Sequence, residues 1–219
     1  MKNNVSSYYM NARPEMVNFI QGSPGKILEV GCGTGCFRGN FGKEVEYWGV
    51  EPCEAAANQA RQVLTKTLIG TYDDIKNEIP PHYFDLVVCN DVIEHMADPR
   101  NFLRDIRNKL ATDGSIIASV PNIRNAITLY DLLIKGDFRY TAAGVLDYTH
   151  FHLFTKKSFM QMATECGYNI ELCKPLPPPP FKPLKRFILN CFKPFIPEIK
   201  SMQIAARLRP SNTTSGSED

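Results

Sequence analysis

The chain has 219 residues, 43% hydrophobic and 22% charged, which suits a globular fold with a full core. A net charge of +2 excludes a protein that holds nucleic acid by charge over its whole surface, and no apolar run reaches the ~18 residues a bilayer span needs. The seven cysteines form no C-x-x-C pair and the four histidines are scattered. That speaks against a zinc framework and for reduced thiols in a cytoplasmic setting, as does an N-terminus without an apolar signal region.

In chain order, Arg13 to Gln21 reads as a short helix with Pro14 in its first turn, ended by Gly22-Ser23-Pro24-Gly25. Ile27-Leu28-Glu29-Val30 is a buried strand that breaks into Gly31-Cys32-Gly33-Thr34-Gly35. Glycines at this spacing allow positive φ and let a ligand approach bare backbone. Position 36 is Cys, so the G-x-G-x-x-G dinucleotide fingerprint fails at its last glycine. A second strand ends in Glu51-Pro52, and a carboxylate there can accept from both hydroxyls of a ribose. Glu54 to Leu64 is an Ala-rich helix, Thr67 to Gly70 a third strand and Phe84 to Cys89 a buried fourth. Asp98-Pro99 caps a helix to about Leu110, with Phe102, Leu103, Ile106 and Leu110 on one face. Asp113-Gly114 turns the chain into a fifth strand, 115–120. Ser158 to Cys166 is a helix stopped by Gly167, Tyr168 to Cys173 a sixth strand and Met202 to Leu208 a seventh. Strands alternating with helices imply a doubly wound α/β sheet.

The glycine turn with Glu29 before it and Glu51 after the next strand resembles the first motif of class I S-adenosylmethionine-dependent methyltransferases. The segments Asn90-Asp91-Val92-Ile93-Glu94-His95, Val120-Pro121-Asn122 and Asp147-Tyr148-Thr149-His150-Phe151-His152 resemble the branch encoded with polysaccharide and lipopolysaccharide biosynthesis genes. The resemblance implies a Rossmann-like, mostly parallel seven-stranded sheet with an antiparallel last strand, and S-adenosyl-L-methionine as cofactor. It implies cofactor contacts at Glu29, Gly31, Cys32, Gly33, Gly35, Glu51, Pro52, Asn90 and Asp91. Asp73 or Asp74 would meet the adenine amine, and Tyr9 and Arg13 the methionine end, with Arg13 able to pair with its carboxylate. The implied reaction is O-methylation of a sugar or surface-glycan intermediate. The alternatives are another small-molecule methyltransferase, such as a quinone-pathway enzyme at the membrane, a nicotinamide dehydrogenase, or a cofactor-binding partner protein without catalysis.

A hydroxyl acceptor must lose its proton as it attacks, and histidine suits that role. His150 is the first candidate base, His95 the second and His152 the third, with His152 and Asn122 placed on the substrate side. Asp147 is expected to orient a histidine or to act as the base. Glu94 is expected to be a charge at a helix start. Asp91, Glu94 and His95 share one turn, but no second cluster joins them, so no metal is expected.

One domain over 1–210 is expected, followed by a disordered tail, 211–219. Two segments break the alternation, 121–154 and 174–200, and both leave strand ends on the ligand face. The second is rich in Pro and Phe, and eight basic residues against one acid lie between Lys174 and Pro210. That composition suggests a lid on the active-site rim, a peripheral contact with the inner membrane face, an anionic acceptor or a partner protein. No nucleic-acid-binding module accompanies the charge.

Overall fold

The structure is a computed structural model and describes residues 11–178, 180 and 182–211. Tyr9 and the tail from 212 onward lie outside the described residues. The apolar segments form β1 (Lys26–Val30), β2 (Glu46–Glu51), β3 (Lys66–Ile69), β4 (Phe84–Asn90), β5 (Leu110–Pro121), β6 (Tyr168–Pro175) and β7 (Gln203–Pro210). They make one seven-stranded sheet in the order β3-β2-β1-β4-β5-β7-β6. The first five pair in parallel, and β7 lies antiparallel between β5 and β6. Strand β6 therefore runs with the first five, as expected.

The strand pattern explains why the sheet is covered on both faces. Leu28, Val87 and Ile116 face one core, shared with Phe102, Leu103 and Ile106 of α3 (Pro99–Ile106) and Phe159 and Met162 of α5 (Lys156–Glu165). The alternate residues Ile27, Leu86, Val88 and Ile117 face a second core with Met16, Phe19, Phe37 and Ala60. Two apolar faces per strand give the near-continuous hydrophobic runs typical of buried parallel sheets. The caps are local: the Asp98 side chain accepts from the Asn101 amide at 2.9 Å, and Thr155 and Ser158 cap α5 reciprocally.

Three elements differ from the sequence reading. The Ala-rich helix stops early, as α1 (Glu54–Ala60), because the chain must turn to place Thr65 against Tyr47, where two hydrogen bonds of 2.9 and 3.0 Å hold it. The N-terminal helix is a 3-10 turn over Pro14–Phe19 that starts from a left-handed Arg13. Asp113-Gly114 forms no separate turn but lies within β5, at a register shift against Phe84 and Leu86.

The sheet order reverses beside β1, between β1 and β4, and their C-terminal ends open a crevice there. Both insertions start at this end of the sheet. The first carries α4 (Ala126–Tyr130), capped by Asn125, and a loop that returns to β4's end, where the Glu94 carbonyl accepts from the Phe151 and His152 amides. The second carries α6 (Pro183–Phe192) and is fastened to the first by an Arg124–Glu198 ion pair of 2.9 Å and by the Ala126 amide on the Ile199 carbonyl. Among the described residues no helix is long and apolar enough to cross a membrane.

Candidate active site

A cleft of about 1430 Å³ opens at the C-terminal ends of β1, β2, β3 and β4. Its floor is the glycine turn. Gly31 and Gly33 have φ of 73° and 53°, and a Cβ on Gly31 would stand 2.5 Å from Val92 Cγ2. Gly35 does not line the cleft; it turns the chain with φ 79° and packs against Val63 and Leu64. Cys32 lines the cleft, while its buried sulfur lies beside Gly49, 2.5 Å from where a Cβ there would stand.

Glu51 ends β2 as a buried carboxylate. One oxygen accepts from the Gly33 amide at 2.9 Å and the other from the Cys53 amide at 2.8 Å. Burial raises its pKa against these two hydrogen bonds. Each carboxylate oxygen has two acceptor positions, so one remains on each for a ligand. Glu51→Ala is expected to weaken nucleoside binding by about 1–3 kcal/mol, the value of hydrogen bonds to a charged acceptor. Calorimetry on wild type and variant measures this, and equal dissociation constants would remove Glu51 from the site.

Glu29 lies at the bottom of the cleft, accepts from the Tyr47 hydroxyl at 2.8 Å, and is pushed by burial to a pKa of about 8. The folded state thus holds a proton that the unfolded chain releases near pH 4.5. Between those values folding binds a proton, so this group's contribution to stability falls as pH rises from about 4.5 to about 8. Glu29→Gln removes that dependence. The variant should gain on the order of 3 kcal/mol over wild type at pH 7 in the ligand-free protein and nothing near pH 4. Denaturant melts of both proteins across this range test it; parallel profiles would contradict it.

The two acids after β3 separate. Asp74 caps α2 (Tyr72–Ile75), accepting from the Thr71 amide and hydroxyl, and Asp73 lines the cleft. Pro52 also lines it, as does Asn90, whose side-chain oxygen and nitrogen are buried without a hydrogen-bond partner. Asp91 is left-handed, with φ 55°, and is held by Ser119, Arg13 and Gln203. Arg13 is buried; it pairs with Asp91 and Glu15 and reaches Ser119 at 3.2 Å. The expected partner of Arg13 was a ligand carboxylate, but here Asp91 and Glu15 engage it.

Two expected substrate residues lie away from the cleft. Asn122 is fully buried and donates to the Glu198 and Ser201 carbonyls at 3.1 and 2.9 Å, tying the two insertions together. His152 faces the Ala97 carbonyl at 3.4 Å, outside the cleft lining. His95 and His150 meet on the cleft wall, with ring centroids 4.7 Å apart at 68°. His95 Nδ1 lies 3.1 Å from the Thr149 carbonyl and His150 Nδ1 3.0 Å from that of Val145. A carbonyl only accepts, so Nδ1 carries a proton in each ring, and Nε2 holds the lone pair whenever the ring is neutral. Burial holds the pKa of His95 below the ordinary imidazole value. Asp147 lines the cleft but accepts from the Thr149 amide and hydroxyl at 2.8 and 2.6 Å, hydrogen bonds that lower its pKa.

Glu94 is not a helix-start charge in solvent. It is 0% exposed, lines the cleft beside the two imidazoles, and neither carboxylate oxygen has a hydrogen-bond partner. Burial, with Asp91 second, raises its pKa well above the carboxylate range. Gln203 and Met202 are cleft residues with no signal of their own in the sequence, and Glu94 reads there only as a charge on the turn after β4. Among the described residues from 174 to 200, none lines the cleft. Phe187, Ile188 and Phe192 of α6 are exposed, and Leu189 is its buried anchor.

The fold is the one shared by solved S-adenosylmethionine-dependent methyltransferases. A profile of a methyltransferase-domain family matches residues 2–172, and the chain belongs to that family. It is similar to a ubiquinone biosynthesis O-methyltransferase from Neisseria meningitidis, 26% identical over 155 residues, covering 66% of this chain and 64% of the relative. A mitochondrial ubiquinone biosynthesis O-methyltransferase from Schizosaccharomyces pombe is 29% identical over 101 residues, covering 43% of this chain and 37% of the relative. The chain thus spans less than two thirds of these relatives. Among solved structures, an S-adenosylmethionine-dependent methyltransferase from Archaeoglobus fulgidus superimposes with a TM-score of 0.61 at 18% identity, over 88% of each chain. One from Mesorhizobium loti gives 0.59 at 16% identity, over 91% of this chain and 98% of the other.

Proposed function

We propose that the chain transfers a methyl group from S-adenosylmethionine to a hydroxyl of a small hydroxylated ring compound, in the class of quinone precursors. The observation that carries this is the single cleft that holds Glu51 at the end of β2 and the His95–His150 pair on its wall. Glu51 would accept from the ribose hydroxyls, the glycine turn would pass under the methionine part, and Asp73 and Asn90 would meet the cofactor from the sides. The acceptor oxygen attacks the sulfonium methyl, the new C–O bond forms as the C–S bond breaks, and the electron pair stays on sulfur. The hydroxyl proton must leave as this happens, and the His95–His150 pair is where the chain provides for it. Alignment and exclusion of water supply most of the remaining acceleration.

An aromatic acceptor suits the cleft walls, where Met96, Val145, Phe151 and Met202 offer apolar surface. The ubiquinone-pathway relatives favour the same acceptor class over a surface glycan. Label transfer from methyl-labelled S-adenosylmethionine to a panel of catechols, hydroxyquinols and nucleotide sugars tests the reading. Label on the phenolic compounds supports it; label on sugars alone restores the glycan acceptor.

Helix α6 supports a second element of this reading, contact with an anionic bilayer. Leu184, Phe187, Ile188, Phe192 and Phe195 are exposed beside Lys182, Arg186 and Lys193. Each cation near an anionic surface adds about 1 kcal/mol, and inserted apolar side chains add a further term. Co-sedimentation with anionic liposomes at low salt is expected. It should be lost with neutral lipid and when Lys182, Lys185, Arg186 and Lys193 are all changed to Glu. Equal recovery in the supernatant for every lipid would contradict the membrane contact.

A further inference from the structure

We propose that Glu29 is a specificity-determining residue of the cleft floor: it selects a sulfonium cation over the neutral thioether left by methyl transfer, by giving up its proton as the cation enters. The inference rests on the methyltransferase reading for the identity of the ligand; its evidence is the buried carboxyl itself.

The first observation is the lack of a counter-ion. Glu29 is 3% exposed at the bottom of the cleft, and among the described residues it forms no ion pair. The Tyr47 hydroxyl donates to one of its oxygens at 2.8 Å. A neutral donor does not offset the cost of burying a carboxylate, and buried acids without a cationic partner hold their proton.

The second observation is what surrounds the carboxyl. Tyr47 and Glu51 come from β2, Cys32 from the glycine turn, Cys89 and Asn90 from β4, and Arg13 from the start of the first helical turn. Burial holds both thiols and the Tyr47 phenol neutral. Glu51 is a second acid and opposes ionisation of Glu29, whereas Asn90 and Arg13 favour it. Arg13 is already engaged by Asp91 and Glu15. With its pKa at about 8, Glu29 is mostly protonated in the free protein at neutral pH.

The third observation is position. Glu29 stands two residues before Gly31, and Gly31 and Gly33 line the cleft with bare backbone at positive φ. A Cβ on Gly31 would collide with Val92, so that backbone stays open to a ligand. A ligand resting on this turn meets the Glu29 carboxyl in the same opening.

These conditions separate two ligands that differ by one methyl group and one charge. A cation beside a buried carboxyl favours its ionised form, so entry of the sulfonium sends the Glu29 proton to solvent. By linkage, affinity for the sulfonium rises with pH up to the free-protein value of about 8 and levels off above it. Methyl transfer removes the charge, because the C–S bond breaks and its electron pair stays on sulfur. Glu29 then regains a proton from water, and the thioether is held less tightly than the cofactor was.

The test is calorimetry of the full chain with S-adenosylmethionine and with its demethylated product, from about pH 6 to about pH 8.5, in two buffers of different ionisation enthalpy. The difference in heat between buffers counts the protons released. Each ligand's own amine titrates alike against wild type and Glu29→Gln, so the difference between the two proteins belongs to Glu29. Wild type is expected to release most of one proton per S-adenosylmethionine at neutral pH and less with the product. Glu29→Gln should lose this extra release, and its preference for S-adenosylmethionine over the product should fall about 5–10-fold, the worth of roughly one pKa unit. Circular dichroism establishes that the variant is folded. If it is not, Tyr47→Phe decides: loss of the hydroxyl donor should move the pH profile of wild type to higher pH. Equal proton release in wild type and folded Glu29→Gln overturns the proposal, as does release lost in Glu51→Ala but kept in Glu29→Gln. Wild type that binds S-adenosylmethionine with no linked proton overturns it and leaves the methyltransferase reading standing. Failure of both ligands to bind removes that reading and the proposal together.

Discussion

Replacing Gly33 by valine is expected to abolish S-adenosylmethionine binding while leaving the sheet folded. Gly33 has φ 53°, in the left-handed region that a β-branched residue strongly disfavours. Its amide donates to Glu51, so any shift of the turn also moves the carboxylate at the end of β2. The residue lines the cleft with backbone alone, and two methyl groups there take space meant for ligand. A loss of at least about 100-fold in affinity, roughly 2.7 kcal/mol, is expected. Calorimetry measures it, and a thermal melt establishes that the variant is folded. Near-native affinity in a folded variant would mean that the cofactor does not cross this turn.

His150→Ala is expected to lower turnover by about 10²–10⁴-fold while changing cofactor affinity little. The imidazole stands on the cleft wall, edge-on to His95 and fixed by the Val145 carbonyl. It reaches the cleft from the insertion loop, whereas the glycine turn and Glu51 belong to the sheet. Single-turnover methyl transfer with saturating cofactor separates the two effects. Unchanged turnover in the folded variant would make His150 a structural residue of the loop and move the chemistry to His95 or Asp147.

The sheet and the part of the cleft built by β1, the glycine turn and Glu51 were legible because their signals are local. Strand β1, the glycine turn, Glu51 and β4 each occupy a few consecutive residues with strong periodicity or a fixed offset. The histidine side of the cleft was not, because long-range contacts build it. Asn122 looked like a substrate residue, yet its amide serves carbonyls at 198 and 201. Glu94 looked like a dipole charge, but the loop at 149–152 closes over that turn and leaves its carboxylate unexposed. His95 and His150 are 55 positions apart in sequence, and only the return of the first insertion brings their rings together. The two acids at 73 and 74 show the same limit at short range: spacing placed both near the cofactor, and capping geometry assigned one to the helix.

The most direct test of the account is calorimetric titration of the purified chain with S-adenosylmethionine, its demethylated product and NAD. The account predicts one site per chain for the first two, weakened by Glu51→Ala, and no heat from NAD. Binding of NAD alone, or affinity for S-adenosylmethionine indifferent to both Gly33→Val and Glu51→Ala in folded protein, would contradict it.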